Sequence, residues 1–119
     1  MILENEILRL LPADPALAPR AAAYYIRNRA FLRPLEPERP PAFFTPEAQR
    51  GILLREMLDA QSGRAYCFYI EPKCAPALLI GGIGLNNVVW GAFCSAFLGY
   101  KLDAAYTGQG YMTEAVRLV

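Results

Sequence analysis

The sequence predicts an α/β chain of the α+β type, with elements in the order β-α-α-β-β-β-α and the last three strands in an antiparallel meander. Three observations carry this. Two signals that combine an N-cap residue with proline, Asp14-Pro15 and Thr45-Pro46, open apolar stretches of helical period. After Gly63 the period shortens to that of strands through three aromatic and aliphatic runs. A glycine turn at Gly108 and Gly110 then leads into a final amphipathic stretch.

The first strand is "EILRLLPAD", residues 6–14, in which Ile7 and Arg9 alternate with Leu8 and Leu10 and Pro12 closes the run. Asp14 caps a helix with proline at its first position, and Leu17, Ala21, Tyr24, Tyr25 and Asn28 fall on one side of it to about Arg29. "FLRPLEPERPPAFF", residues 31–44, holds four prolines, which prevent regular helix and make a structured loop. Thr45-Pro46-Glu47 starts a second helix that carries Leu53, Leu54, Met57 and Leu58 and runs to Ser62-Gly63, where the glycine closes it. The meander follows as residues 64–72, 77–90 and 93–103, with turns expected at 71–74 and 90–91. From Gly110 onward, Met112, Ala115, Val116 and Val119 share one helix face, with Thr113, Glu114 and Arg117 pointing away.

Composition narrows the possible functions. The 119 residues suit a single domain without internal repeats, and the 55% hydrophobic content implies either a well-buried core or an apolar face meant for missing partners. Net charge is +1, and no lysine or arginine block interleaves with aromatics, so nothing points to a nucleic-acid or membrane surface. The start, "MILENEILRLLPADP", lacks the basic and uninterrupted apolar regions of a secretory signal. The longest apolar stretch, "APALLIGGIGL" at residues 75–85, is too short to cross a bilayer, and a cytoplasmic protein is expected.

Cys67, Cys74 and Cys94 are odd in number and lack CxxC spacing, and the chain has no histidine, so they are expected as buried reduced thiols and no metal site is expected. The absence of histidine also removes Ser-His-Asp and Cys-His catalysis from this chain. Any catalysis has to use carboxylates, tyrosines, backbone dipoles or a reactive cofactor.

Glycines at 108 and 110 let the backbone approach a ligand closely, and a following helix favours an anion at its start. The stretch is no Walker A loop, since no lysine follows the glycine, and no dinucleotide fingerprint, since Thr113 stands where a third glycine belongs. Alone, it fits an ordinary strand-to-helix turn as well as an anion site.

Together with "EPERPPAFF", "NNVVWGAFCSAFLGY" and "GQGYMTEA", however, the stretch "LGYKLDAAYTGQGYMTEAVRLV" resembles the GNAT acyltransferase superfamily, and within it the ribosomal-protein-alanine N-acetyltransferase branch. The resemblance covers essentially the whole chain. It implies the GNAT acyl-CoA N-acyltransferase fold and use of acetyl-CoA. The superfamily's Q/R-x-x-G-x-G/A signature maps onto residues 107–112, where Gly110 matches while Thr107 and Met112 depart from the pattern. It further implies that N–H groups from Gly108 and Gln109 through Gly110 and Met112 to Thr113 hold the pyrophosphate, with the Thr113 hydroxyl as an additional donor. Residues 100–103, including Tyr100, become the end of a strand that pairs with pantetheine, and Leu102 offers its backbone N–H to the thioester oxygen.

The implied reaction is direct transfer of acetyl to a primary amine, foremost a protein N-terminal α-amine of ribosomal-protein type. A small-molecule amine acceptor and a non-catalytic CoA-binding or self-associating module are the alternatives. A tyrosine general acid would come from beyond Val119. For the acceptor, Glu36 and Glu38 in the proline-rich loop could bind a peptide N-terminus, act as a base or be solvated, and Asn86, Ser95 and Tyr100 could line the acceptor cleft or make cross-strand polar contacts or, for the tyrosine, core packing. The resemblance also implies strands and a helix after Val119, so residues 1–119 are expected as the N-terminal portion of a single GNAT domain whose open edge would allow a homodimer.

Overall fold

The computed structural model describes residues 2–32, 39–89 and 95–119. Glu36 and Glu38, the 90–91 turn and Cys94 lie outside the described residues, as does the side chain of Ser95.

Among the described residues five strands form one sheet in chain order, every neighbouring pair antiparallel: β1 (Leu3–Glu4), β2 (Leu8–Pro12), β3 (Tyr66–Pro72), β4 (Gly81–Val89) and β5 (Ser95–Leu102). The helices are α1 (Ala18–Arg27), α2 (Arg29–Leu32), α3 (Pro46–Gln61) and α4 (Tyr111–Leu118). The expected succession is present with two additions, the short β1 and the one-turn α2.

Alternation along the strands divides the core in two. Leu8 and Leu10 of β2 and Ile70 of β3 face one side, where they meet Ile80, Ile83 and Ala115 of α4. Leu11 and Tyr69, one residue out of phase, face the other, where Leu17, Ala21, Tyr24 and Tyr25 of the α1 region pack with Leu53 of α3. All five residues expected on the inner side of α1 are buried, Asn28 included. The sheet is therefore sandwiched, with α1 and α3 on one face and α4 on the other.

Local signals act where expected. The Asp14 carboxylate accepts from the Ala16 N–H at 2.8 Å, although the turn it opens (Pro15–Leu17) is 3-10 before α1 begins. Thr45 Oγ1 accepts from the Ala48 N–H and caps α3, and Gly63, with φ of 73°, closes it.

Four expectations are corrected. In α3 only Leu53 of the four named residues is buried, and Leu54 and Leu58 are 44% and 48% exposed, because successive helical positions are about 100° apart and one narrow stripe meets the sheet. In α4 the inward stripe runs through Tyr111, Met112, Ala115 and Leu118, which leaves Val116 and Val119 at the surface. Glu114 does not simply point to solvent, since it accepts from Asn5 and pairs with Arg117. Cys74 is exposed and Cys67 half-buried where both were expected buried; Cys74 lies in the β3–β4 turn, which runs over 73–77 rather than 71–74. That turn bends through Ala77 at φ of 72°, held by its N–H donating to buried Glu71, which also pairs with Arg9 and Arg20.

Candidate functional site

Three features meet where β5 ends. The first is the outer edge of β5, the last strand of the sheet. Asp103 N–H donates to the Ile80 carbonyl, so the next antiparallel pair inward, Gly81 with Leu102, is one whose backbone groups point away from each other. The N–H groups of Leu102 and, two residues back, Tyr100 therefore face the open edge. Gly81 is required for this pairing, since a Cβ there would meet the Lys101 carbonyl at 2.2 Å. Tyr100, 64% exposed, alternates onto the α4 side beside its register partner Ile83.

The second feature is the glycine turn. Gly108 and Gly110 have φ of 74° and 84°, a conformation that favours glycine, and a Cβ at either would meet nothing within 4 Å. Gly110 is the N-cap of α4 and has no side chain to cap it, and the helical ladder begins with Glu114 N–H donating to its carbonyl. The amides of residues 111–113 are thus the unsatisfied donors of the helix start. Thr107 and Gln109 donate to the Ala104 and Ala105 carbonyls, so their side chains brace the turn from within. Met112 turns its side chain to the core and can present only its amide, whereas Thr113 is exposed.

Between the two features lies a buried polar knot that the sequence reading did not single out. The Asp103 carboxylate, 2% exposed, receives Arg27 at 2.6 and 2.7 Å and Asn28 Nδ2 at 3.0 Å, and it caps the Ala105 N–H at 2.9 Å. Asn28 Oδ1 accepts the Ala104 N–H, and Arg27 also donates to the Leu79 carbonyl. Burial alone would raise the Asp103 pKa, but hydrogen bonds from Asn28 and Ala105 and the Arg27 charge outweigh it and hold the group below its ordinary value. The signal in the sequence was Asn28, a polar residue on an otherwise apolar helix face.

The third feature is a groove of about 360 Å³ on the α1/α3 face of β4 and β5. Its floor includes Gly82, Gly84 and Gly99, and Asn86 lies along it. On its walls the Tyr69 hydroxyl donates to Glu56 Oε1 at 2.6 Å, and the Lys101 ammonium donates to the Tyr25 hydroxyl while lying 4.5 Å from the centre of that ring. Burial and the Glu56 charge push the Tyr69 phenol far above its ordinary value and the Cys67 thiol up to about 12, so both stay protonated and Tyr69 is a hydrogen-bond donor. Glu56, Tyr69 and Lys101 were not foreseen as site residues, because only the register of β3, β4 and β5 beneath α3 gathers them.

Among the described residues there is no group of histidine, cysteine and carboxylate side chains that could hold a metal ion, and no helix is long and apolar enough to cross a membrane.

The chain is similar to a probable N-acetyltransferase, YjcK, of Bacillus subtilis, with 31% identity over 99% of this chain and 65% of the relative. The ribosomal-protein-S5-alanine acetyltransferase of Vibrio fischeri has a similar structure, with a TM-score of 0.87 and 33% identity over 98% of this chain and 63% of that one. The Mycobacterium smegmatis RimJ structure, in complex with CoA-disulfide, shares the fold at a TM-score of 0.83 and 23% identity, over 99% of this chain and 57% of that one. The chain thus spans about two thirds or less of the length of each. Residues 7–119 match the family model described as the acetyltransferase (GNAT) domain, and the chain belongs to this family.

Proposed function

We propose that the protein binds acetyl-CoA at the end of β5 and takes part in transferring the acetyl group to a primary amine, foremost the N-terminal α-amine of a protein such as a ribosomal protein. The single observation that carries this reading is that the outward-facing amide of Leu102 and the uncapped start of α4 belong to one sheet corner, joined by the Asp103 knot. The residues fit the cofactor: left-handed glycines keep the turn free of side chains, and the amides of residues 111–113 have the polarity an anion requires.

Acetyl-CoA supplies an acetyl group already activated as a thioester. The chain's own residues bind and orient. Amides from Gly108 to Thr113 would hold the pyrophosphate, the β5 edge would pair with the pantetheine arm through its main chain, and Leu102 N–H would be the donor available to the acyl oxygen as an amine attacks. The acceptor assignment is supported by the Vibrio fischeri relative, which acts on an alanine of a ribosomal protein.

Calorimetric titration of the chain with acetyl-CoA, followed by mass spectrometry of alanine-initiated peptides, tests the reading. Saturable binding that weakens at least about ten-fold in Gly110→Val, the scale of one lost phosphate-binding contact, is the expected result. Wild-type and variant chains that are equally indifferent to acetyl-CoA would overturn it.

A further inference from the structure

We propose that the glycine-floored groove is the acceptor site, and that Glu56 and Lys101 together select the α-ammonium and first carbonyl of a polypeptide N-terminus. The inference rests on the acetyltransferase reading above and adds to it the residues that choose the acceptor.

The floor supplies the first argument. Glycine inside a strand weakens it and often marks a bulge, a tight bend or a place that a ligand or another backbone approaches closely. Neither Gly82 nor Gly99 is among the positive-φ glycines, and a Cβ on either would meet its nearest atom at an ordinary 3.5 Å. Packing and backbone geometry would therefore accept a side chain at both positions. What such a side chain would remove is the open volume above β4 and β5.

The walls supply the second. Glu56 is fixed by the Tyr69 hydroxyl, whose raised pKa keeps it a donor, so the carboxylate is oriented. Lys101 is positioned on Tyr25 in the same groove. An anion and a cation lining one groove match an ammonium with a carbonyl oxygen close by. A polyamine, which carries only positive groups, would meet Lys101 as a like charge. Lys101 is also the residue before Leu102, so a ligand lying against it is next to the amide assigned to the acyl oxygen.

The test measures equilibrium binding of an alanine-initiated peptide amide to the full chain in the presence of CoA, by calorimetry or NMR, so that it does not depend on turnover. Gly99→Val fills the floor with a strand-favouring residue, and Glu56→Gln keeps the shape and an acceptor for Tyr69 while removing the charge. Each is expected to weaken peptide binding by about ten-fold or more, the effect of losing a charge-assisted contact, and to leave acetyl-CoA affinity unchanged. Lys101→Met is expected to narrow the preference of the peptide over a polyamine.

Unchanged peptide affinity in both Gly99→Val and Glu56→Gln overturns the proposal, as does tighter binding of free alanine or spermidine than of the peptide by the wild-type chain. Failure of the acetyltransferase reading is seen separately, as absent acetyl-CoA binding by the wild-type chain, and it would remove this proposal's foundation as well. A wild-type chain that binds acetyl-CoA but not the peptide overturns the acceptor site alone.

Discussion

At the level of single residues, two positions separate backbone demands from packing demands. Gly110 has open space around it and a φ of 84°, so substituting alanine costs backbone strain and nothing else. Gly110→Ala is expected to destabilise the chain by about 1 kcal/mol, measured by urea unfolding. Asp103 is the opposite case, a charge whose value comes entirely from its partners. Its pKa is lowered from the ordinary 3.8, so its contribution is complete above that value and is lost as pH falls through its lower native pKa. Asp103→Asn is expected to cost about 1–3 kcal/mol at pH 7, given a partner arginine that is partly solvated, and to flatten the acid limb of the stability–pH curve. The cysteines can be told apart in the same way. With its thiol pushed up to about 12, Cys67 is expected to react with iodoacetamide at pH 8 far more slowly than exposed Cys74, as peptide mapping by mass spectrometry would reveal.

At the level of elements, the helices differ in how legible they were. The inner side of α1 could be read residue by residue, because alanines and tyrosines at helical spacing leave one place to bury them. The α3 sequence presents two adjacent leucines, and spacing alone cannot say which of them meets the sheet. The structure chooses Leu53. Leu53→Ala is accordingly expected to cost about 2–5 kcal/mol, whereas Leu54→Ala and Leu58→Ala should each fall below about 1 kcal/mol in chemical denaturation. The strands were legible as elements and less so at their ends, since turn positions depend on contacts such as the grip of Glu71 on the Ala77 N–H. For the site, the glycine turn and the β5 end were visible because they are local. The Arg27–Asp103 and Glu56–Tyr69 pairs were not, because nothing in local spacing reports which strand residue a helix residue will meet; the first pair is separated by 76 positions in the chain.

At the level of the whole molecule, sequential antiparallel pairing places β5 at one margin of the sheet, with its helix layers on opposite faces. The proposed cofactor contacts follow that margin, and the proposed acceptor groove lies on the α1/α3 face beside it. A ligand that binds only the folded chain stabilises it by mass action, so acetyl-CoA at a hundred times its Kd is expected to add about 2.7 kcal/mol to the unfolding free energy, read as a rise in Tm.

The knot around Asp103 has a consequence for how the two ligands influence each other. Helix α1 contributes Tyr25 to the groove and, two and three residues later, Arg27 and Asn28 to the corner that leads into the glycine turn. A peptide in the proposed groove that shifted α1 would also shift the frame of the proposed cofactor amides, and thermodynamic reciprocity would require the converse by the same factor. Cofactor and acceptor would then bind as linked partners, and removing the Asn28 contacts would weaken that link while Arg27 still holds Asp103.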